Sequence, residues 1–356
     1  MNSLTGLYVE IISQCNAQCV YCYNEENVLY NNDKIESALF EKIVTTAKDF
    51  GVSRITISGG EPMLHDGLCE ILDYAYGKEI GIKIITNFTI YNKQVYNLLC
   101  KYSIDLQITL DGHTSHFHNS TRGDGTFEKI VQNLKILLEL GYKGNLLIRV
   151  NLHKNNYQYI EEIINCAKRH GASEVSLALV SLVGAGKRFE GLIDRHHDDD
   201  ILNTIKNKIE EINAMEERVK VNSGALEIID FSAGCPYYGK ENISCAFRIS
   251  ADGYVYPCQA FLDKIFNLGN IKHEPLEAIL KGKKLEQFKT LLSLRKNFIP
   301  ECQNCAYKNM CTTGCPADGY IKNGNIFSLF GECDKRKRFF STNIAQILDK
   351  EVTLKI

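Results

Sequence analysis

The stretch CNAQCVYC, residues 15–22, decides how the rest of this sequence is interpreted. It carries three cysteines, Cys15, Cys19 and Cys22, in the spacing Cys-x3-Cys-x2-Cys. Three thiolates bind three corners of an iron–sulfur cube that has four irons, so one iron keeps an open position. A structural metal site is closed by protein ligands, whereas an open position serves chemistry. The spacing therefore predicts a reactive metal centre.

Composition excludes several classes of protein. The chain has 356 residues, of which 44% are hydrophobic, enough for a large barrel or two domains. Its 41 basic and 43 acidic residues nearly cancel, so net charge gives no attraction to nucleic acid or a membrane surface. Residues 1–10 lack a basic start followed by an apolar stretch. The most apolar uncharged run, 175–186, is shorter than the roughly 20 residues of a membrane span. We expect a cytoplasmic protein without nucleic-acid or membrane partners.

The chain contains fourteen cysteines. Without a secretion signal, this number favours metal ligation over a disulfide framework. Most of them fall in two clusters, Cys15–Cys22 and Cys235–Cys333. Cys69, Cys100 and Cys166 stand singly in helical patterns, and we predict that they are small buried apolar residues.

Between residues 6 and 180, short β-type apolar runs alternate with longer helix-type runs. The alternation predicts parallel strands with right-handed helical crossovers, in an open doubly wound sheet or a barrel. Either fold binds ligands at the carboxyl ends of its strands, and the cysteine stretch directly follows the first strand. The predicted strands are Gly6–Ile12, Arg54–Ser58, Lys83–Thr86, Asp105–Thr109, Asn145–Val150 and Glu174–Leu179. The predicted helices are Ser37–Phe50, Gly67–Gly77, Lys93–Lys101, Phe127–Leu140 and Tyr157–Gly171, followed by a polar helix over Asp199–Lys220.

Polar residues alternate with apolar ones in two of these strands. Gln107, Thr109 and Asp111 share one face of the fourth strand, and Arg149 and Asn151 share one face of the fifth. A barrel filled only with packed side chains has Val, Ile or Leu at such inward positions. The alternation therefore predicts a ligand-lined interior. The alternative is a half-solvated sheet face, which is less common because parallel sheets are usually covered on both sides.

The tetrapeptide Gly59-Gly60-Glu61-Pro62 follows the second predicted strand. Its glycines permit positive φ and close approach to a ligand, and Pro62 restricts the next turn. Glu61 offers a carboxylate to an ammonium group. Alone, such a tetrapeptide is more often an ordinary turn, but its position beside the cysteine stretch indicates a binding loop.

The cysteine stretch, with Tyr21 before its last cysteine, and the Gly59–Pro62 loop together resemble the radical S-adenosylmethionine (SAM) superfamily. The resemblance implies a partial (β/α)6 TIM-like barrel, a 4Fe–4S cluster on Cys15, Cys19 and Cys22, and SAM on the fourth iron. It implies an enzyme that cleaves SAM to a 5′-deoxyadenosyl radical, which abstracts hydrogen from a substrate. The implied SAM contacts are Tyr21 near the adenine, Gly59, Gly60, Glu61 and Pro62 at the methionyl ammonium, Thr86 and Asn87 by the ribose, Thr109 and Asp111 at the ligand, and Arg122 at the methionyl carboxylate.

The C-terminal cysteines resemble the SPASM extension of radical SAM enzymes that modify peptides and proteins. Their pattern is Cys245-x7-Gly253-x4-Cys258, then Cys302-x2-Cys305-x5-Cys311-x3-Cys315, then Cys333. The resemblance implies a small Cys-rich domain with two auxiliary 4Fe–4S clusters, and thus three clusters in all. It assigns Cys235, Cys245, Cys258 and Cys315 to one auxiliary cluster and Cys302, Cys305, Cys311 and Cys333 to the other. Without the N-terminal stretch, zinc would explain the C-terminal cysteines about as well.

The resemblances cover residues 6 to about 335 and predict four parts of the chain. These are a radical SAM partial barrel over 1–195, a helical linker over 196–230, a SPASM domain over 231–340 and a C-terminal tail over 341–356.

The resemblance to SPASM enzymes leaves several reactions open. Peptide maturases install thioether or carbon–carbon cross-links or epimerise residues, sulfatase maturases form formylglycine, and others oxidise small molecules. Sulfatase maturases carry Asp after the cysteine that matches Cys258; here Gln259 follows, which accepts no proton at neutral pH, so the catalytic base is unidentified.

We predict a peptide maturase with a peptide or protein substrate and an electron donor such as flavodoxin or ferredoxin. Because the first predicted strand begins at Gly6, either a separate leader-peptide-binding protein or the barrel and extension alone recognise the substrate. Formylglycine formation is the second hypothesis, and oxidation of a small molecule is the third. A zinc-stabilised interaction module is the non-enzymatic alternative.

Overall fold

The structure, a computed structural model, describes residues 4, 6–194, 198–214, 220–222, 235, 237, 246–329, 333–334 and 336–342. The described residues of 1–226 and 241–285 form one compact unit, and those of 227–240 and 286–356 form a second. The division into barrel, linker, SPASM domain and tail stays a prediction, and residues 343–356 of the tail lie outside the described residues.

The first unit is built on an open sheet whose first seven strands are parallel and follow one another in sequence order. This confirms the predicted α/β partial barrel. Strand β7 was missed by the sequence analysis, because three residues show no periodicity. The strands are β1 (Gly6–Ile12), β2 (Arg54–Gly59), β3 (Gly81–Thr86), β4 (Asp105–Thr109), β5 (Leu146–Leu152), β6 (Glu174–Leu179) and β7 (Lys220–Asn222).

The described helices include all six predicted ones, two of them with clearly different bounds, and six that were not predicted, four of which lie in the Cys-rich region after residue 230. The predicted fifth helix begins as a 3-10 turn at Tyr157–Tyr159. Of the predicted polar helix, Asp199–Ala214 is described as helix, whereas Lys220 belongs to β7. Helices α1 and α5 were missed because they are short and polar. The helices are α1 (Glu25–Tyr30), α2 (Ser37–Asp49), α3 (Leu68–Gly77), α4 (Lys93–Lys101), α5 (Ser115–Arg122), α6 (Thr126–Glu139), α7 (Ile160–Arg169), α8 (Asp199–Ala214), α9 (Leu276–Leu280), α10 (Lys283–Phe298), α11 (Pro300–Gln303) and α12 (Pro316–Asn323).

The two faces of the barrel strands differ in chemistry and in exposure. One face is apolar and almost fully buried; it includes Ile55, Ile57, Ile82, Ile84, Leu106, Ile108, Ile148 and Val150. The alternating residues on the opposite face, which we call the concave face, are half-buried and mostly polar; they include Thr56, Lys83, Gln107, Thr109, Arg149 and Asn151. The hydrophobic effect therefore anchors the strands from one side and leaves the other side accessible.

Three further strands extend the sheet beyond β1. Strand β8 (Ala246–Ile249) pairs in parallel with β1, and β9 (Tyr254–Tyr256) and β10 (Gly269–Asn270) continue in antiparallel pairs. Gly253 makes the β8–β9 turn with φ +92°, and a Cβ there would lie 2.7 Å from Asn270 Oδ1. The sequence analysis did not predict these strands.

Of the three isolated cysteines, Cys166 is buried as predicted. The prediction is wrong for Cys69 and Cys100, which are half-buried. In α3, which carries Cys69, it is Leu68 and Leu72 that are fully packed into the core. No helix within the described residues has both the length and the apolar character needed to cross a bilayer.

Candidate active site

The three cysteines of residues 15–22 follow β1 at the carboxyl edge of the sheet. All three are half-exposed, and the Cys22 N–H donates to the Cys19 carbonyl at 3.1 Å. Burial raises the pKa of the Cys15 thiol to about 12 and that of the Cys22 thiol to about 11. The protein alone therefore keeps these two thiols protonated at neutral pH. A metal group that displaces the protons supplies the positive charge that thiolates need.

Three N–H groups point at the sulfur atoms of this loop. The Ala17 N–H and the Asn87 amide donate to Cys15 Sγ at 3.4 and 3.8 Å, and Arg122 Nη1 donates to Cys19 Sγ at 3.3 Å. Hydrogen bonds to the sulfurs are one of the means by which proteins tune iron–sulfur clusters. Three thiols with such donors fit a cluster that keeps one iron free of protein ligands.

The cysteines do not converge on one point. Among the described residues, no three His, Cys, Asp or Glu side chains are placed to hold a single metal ion. A cube attaches each thiolate to a different iron and does not require such convergence.

The glycines of the Gly59–Pro62 loop allow two loops to touch. Gly59 has φ +142°, and a Cβ there would lie 2.2 Å from the Ile12 carbonyl oxygen; one on Gly60 would lie 2.0 Å from that of Gln14. The Gly60 and Glu61 N–H groups donate to these same oxygens at 2.7 and 2.8 Å. The glycines thus allow the end of β2 to pack directly against the segment that leads into the cysteine loop.

Glu61 is fully buried, and its carboxylate is bound by its own chain. Oε1 accepts the Thr86 hydroxyl at 2.6 Å and the Met63 N–H at 3.0 Å, and Oε2 accepts the Asn87 N–H at 2.7 Å. Burial raises the pKa of this carboxyl, and the three hydrogen bonds oppose the rise. Pro62 begins the 3-10 turn that follows. The structure brings Glu61, Thr86 and Asn87 together beside Cys15.

A second group joins Tyr21, Asp111 and Arg122 beside Cys19. The Tyr21 hydroxyl donates to Asp111 Oδ2, Arg122 Nε donates to the same oxygen at 2.5 Å, and the guanidinium lies 4.8 Å from the Tyr21 ring centroid. Burial of Asp111 disfavours its charge, but the attraction of Arg122 and His118, together with the hydrogen bonds from Tyr21 and the Asn151 N–H, outweighs burial and lowers the pKa of Asp111. The sequence-predicted ligand residue Asp111 is therefore an anchor for the cysteine loop. Thr109, two residues earlier, is half-exposed on the concave face.

Two residues that the sequence analysis did not assign to the site support Asp111: Asn156, which follows β5, and His118, which lies on α5. Asn156 is fully buried and donates to the carbonyls of Asp111 and Asn151 at 2.9 and 3.0 Å. His118 Nδ1 accepts the Asp111 N–H at 3.1 Å, and burial lowers the pKa of His118 to about 4. The available signal for Asn156 was an amide residue four positions after the end of a parallel strand.

His153 lies directly after β5 and was also missed. It is 1% exposed, and its ring centroid is 6.3 Å from that of Tyr21 and 5.4 Å from that of Phe189. Nδ1 accepts the Asn155 N–H at 3.2 Å, whereas Nε2 is buried and has no hydrogen-bond partner among the described residues. A histidine that follows a strand at this edge, next to Tyr21, is a further candidate site residue.

In the second unit, four cysteines assigned to one auxiliary cluster line a single small cavity that opens to solvent. They are Cys302, Cys305, Cys311 and Cys333. Burial raises the pKa of Cys302 and Cys333, and the neighbouring thiols raise it further. Their convergence on one cavity fits a metal cluster with four protein ligands.

Arg295, on α10, organises the chain around this cavity. Its fully buried guanidinium donates to the carbonyls of Thr313 and Gly314 at 2.9 and 3.2 Å, and to those of Ile326 and Ser328. Thr313 and Gly314 adopt φ +59° and +71°. Arg295 thus holds the left-handed turn between Cys311 and Cys315.

The other predicted auxiliary set is described only in part. Cys235 and Cys315 are half-exposed in the second unit, and Cys258 is half-exposed in the first. Cys245 lies outside the described residues. The grouping of these four cysteines stays a prediction.

Comparison with protein families agrees with this arrangement. The family model of the radical SAM superfamily matches residues 9–167, and that of SPASM, an iron–sulfur cluster-binding domain, matches residues 241–306. The chain contains a radical SAM domain followed by a SPASM domain. It is an enzyme, and its cofactors are iron–sulfur clusters and SAM.

Characterised relatives span most of the chain. The subtilosin biosynthesis protein AlbA of Bacillus subtilis is 27% identical over 95% of this chain and 72% of its own length. A cysteine-type anaerobic sulfatase-maturating enzyme of Clostridium novyi is 25% identical over 98% of this chain and 97% of its own. The crystal structure of SuiB of Streptococcus suis bound to S-adenosylmethionine superposes with a TM-score of 0.74, at 20% identity over 92% of this chain and 76% of SuiB. The chain is thus a SPASM-type radical SAM enzyme, in the general class that includes peptide maturases.

Proposed function

We propose that this enzyme modifies a ribosomally made peptide by abstracting hydrogen from it, installing a thioether or carbon–carbon cross-link or an epimerised residue. The observation that carries the proposal is the half-exposed loop of Cys15, Cys19 and Cys22, with N–H donors on its sulfurs, at the rim of a polar concave face. When bound, the cluster and SAM supply a 5′-deoxyadenosyl radical. The relative AlbA, a bacteriocin biosynthesis protein, supports a peptide as the substrate.

In this proposal, residues at the carboxyl edge of the sheet position the cofactor. Glu61, Gly59, Gly60 and Pro62 bind the methionyl ammonium, Tyr21 lies by the adenine, and Arg122 meets the methionyl carboxylate. Thr86 and Asn87 hold Glu61 in place and border the ribose, and Thr109 and Asp111 complete the ligand contacts. Support comes from the two hydrogen-bonded groups at Cys15 and Cys19, which fix these side chains before any ligand arrives.

Two auxiliary clusters carry electrons in this proposal. Cys302, Cys305, Cys311 and Cys333 bind one, supported by their shared cavity. Cys235, Cys245, Cys258 and Cys315 bind the other. An electron donor such as flavodoxin or ferredoxin reduces the enzyme, and a leader-peptide-binding protein delivers the substrate.

Anaerobic purification followed by iron counting and SAM cleavage tests the proposal. We expect about twelve irons per chain, since three cubes hold four each, and 5′-deoxyadenosine after dithionite reduction. Cys15→Ala is expected to abolish cleavage and to spare the auxiliary iron, whereas the control Cys100→Ala keeps both. A protein that contains zinc and releases no 5′-deoxyadenosine would refute the proposal.

Formylglycine formation is the second candidate, because the sulfatase-maturating relative and this chain match over almost their full lengths. Gln259 stands where those enzymes carry a proton-accepting Asp. Incubation with a cysteine-containing sulfatase peptide distinguishes the two. Aldehyde formation that increases in Gln259→Asp would favour formylglycine chemistry, and a peptide that loses two hydrogen atoms without gaining an aldehyde would favour cross-linking.

A further inference from the structure

The concave face of the barrel carries two cations whose role the proposed function does not explain. Lys83 lies on β3 and Arg149 on β5, and both side chains are half-buried. Gln107 and Thr109 lie on the same face of β4, the strand between them. Burial lowers the pKa of Lys83, and the positive charge of Arg149 lowers it further. The two cations therefore share one polar space.

Neither cation forms an ion pair with a described residue. Arg149 Nη1 donates to the Ser176 hydroxyl at 3.0 Å, which carries no charge. Within the described part of the chain, Lys83 Nζ has no hydrogen bond or ion pair, and no carboxylate lies within 4.0 Å of either cation. Both side chains thus keep donors free.

The nearby carboxylates are committed elsewhere. Asp105 pairs with Arg54 at 3.2 Å, and Asp111 pairs with Arg122. Glu174, at the start of β6, attracts Lys83 electrostatically but lies beyond ion-pair distance of it. In the described structure, the space between the two cations therefore has a net positive charge.

This arrangement is costly without a ligand. Burial lowers the pKa of Lys83 and of Arg149, because removing a cation from water without a counter-charge is unfavourable. A bound anion recovers that free energy through charge-assisted hydrogen bonds, and guanidinium matches a carboxylate in shape. The Ser176 hydroxyl fixes the guanidinium orientation before binding.

We propose that Lys83 and Arg149 bind a carboxylate of the substrate peptide inside the barrel. The proposal rests on the proposed function, since it takes the ligand to be a peptide, and it narrows the substrate class to peptides that place a carboxylate next to the modified residue. That carboxylate belongs to an Asp or Glu side chain or to the peptide C-terminus. Its binding positions the neighbouring residue of the peptide inside the barrel, facing the loop of Cys15, Cys19 and Cys22.

Equilibrium dialysis of radiolabelled probes against the anaerobic, iron-loaded, SAM-bound enzyme tests this. N-acetylglutamate amide presents a side-chain carboxylate, and N-acetylglutamine amide is its neutral counterpart. N-acetylalanine presents a terminal carboxylate, and N-acetylalanine amide is its neutral counterpart. Stronger binding of N-acetylglutamate amide than of its neutral counterpart supports a side-chain carboxylate. Stronger binding of N-acetylalanine than of its neutral counterpart supports the C-terminal carboxylate. Equal retention of each acid and its neutral counterpart would overturn the proposal.

Variants identify the groups responsible. Lys83→Met and Arg149→Met are each expected to weaken binding of the preferred acid about tenfold or more, the loss expected for one charge-assisted hydrogen bond. Arg149→Lys retains the charge and is expected to bind between wild type and Arg149→Met. The exposed Lys93→Met is the control and is expected to bind as wild type. Unchanged acid binding in both Met variants would contradict the proposal.

The SAM affinity of the same preparations separates substrate from cofactor. We expect it to remain within about twofold of wild type in the Lys83 and Arg149 variants, since the loss of a direct contact costs far more. A tenfold fall would assign the cations to the cofactor carboxylate and overturn the proposal. If the wild-type enzyme cleaves SAM but binds neither acid, only this inference fails. If the enzyme does not cleave SAM, the proposed function fails.

Discussion

Glu10 and Arg248 form a buried bidentate ion pair between β1 and β8. Arg248 Nε donates to Oε1 at 3.0 Å and Nη2 donates to Oε2 at 2.9 Å, across 238 positions of sequence, and each side chain is 2% exposed. The Tyr23 hydroxyl, next to Cys22, donates to Glu10 Oε1 at 3.4 Å. The strand that leads into the cysteine loop is therefore held from a distant part of the chain.

Arg248→Met is expected to destabilise the protein by about 3–5 kcal/mol, because it leaves the Glu10 carboxylate buried without its partner. Urea denaturation measures this loss. The double variant Glu10→Gln/Arg248→Met removes both charges and is expected to recover most of the stability. A single variant within about 1 kcal/mol of wild type, the range of exposed pairs, would contradict the prediction.

Gly60→Ala is expected to disturb the cysteine loop, since the new Cβ would meet the Gln14 carbonyl oxygen at 2.0 Å. Overpacking of this kind costs about 1–3 kcal/mol, and here it displaces the segment just before Cys15. We expect weaker SAM binding and less iron in the N-terminal site, measured by dialysis and by iron analysis. Gly77→Ala is the matched control, because a Cβ there has nothing within 4 Å. Equal behaviour of the two variants would show that the close approach is unimportant.

The stability of the protein is expected to depend on pH through His118. Burial lowers its pKa from 6.5 to about 4, so above pH 6.5 both folded and unfolded states are neutral there and the residue contributes no dependence. As the pH falls from 6.5 toward 4, the unfolded state binds a proton first and the folded state loses stability. The loss from this residue is about 2 kcal/mol between pH 7.5 and pH 5. Urea unfolding at the two pH values measures it.

His118→Gln is expected to reduce that difference between the two pH values, because glutamine does not titrate. Other buried histidines also contribute to the pH dependence of the wild-type stability. Comparison of the wild type with the variant therefore isolates the contribution of His118. Identical pH dependence in both would contradict the prediction.

Arg295→Met is expected to loosen the turn between Cys311 and Cys315, because four buried carbonyls lose a donor. We expect the loss of about four irons per chain, those of the cluster in the Cys302 cavity, while the N-terminal cluster retains its characteristic paramagnetic signal. Arg295→Lys keeps the charge but not the planar fork and is expected to show a partial loss. Full iron content in Arg295→Met would exclude the positioning role.

The barrel was predictable because its signals are local. β1, β4 and β6 and α4 have the predicted bounds, since each combines an apolar period with flanking turn residues. β7 and β8 were not predictable in the same way, because three- and four-residue strands depend on long-range pairing. Arg248 illustrates this: nothing near it in sequence indicates that it lies beside Glu10.

The sequence indicated where the candidate site lies, at the carboxyl edge of the sheet, but not the contacts between its residues. The resemblance placed Glu61, Thr86 and Asp111 at a ligand, whereas the structure shows Thr86 bound to Glu61 and Asp111 bound to Tyr21 and Arg122. Sequence spacing identifies residues at one edge of a sheet. It does not reveal which polar groups satisfy one another, because that depends on side-chain direction and burial.

The parallel pairing of β8 with β1 has a consequence for folding of the chain during its synthesis. β1 precedes the other described strands of its sheet along the chain and leaves the ribosome before them; six of its seven residues are buried, and its neighbour β8 begins only at residue 246. Until then, one side of this apolar strand has unpaired backbone groups that invite association with other chains. Nascent chains stopped before residue 246 are therefore expected to depend on chaperones more than the full-length protein does.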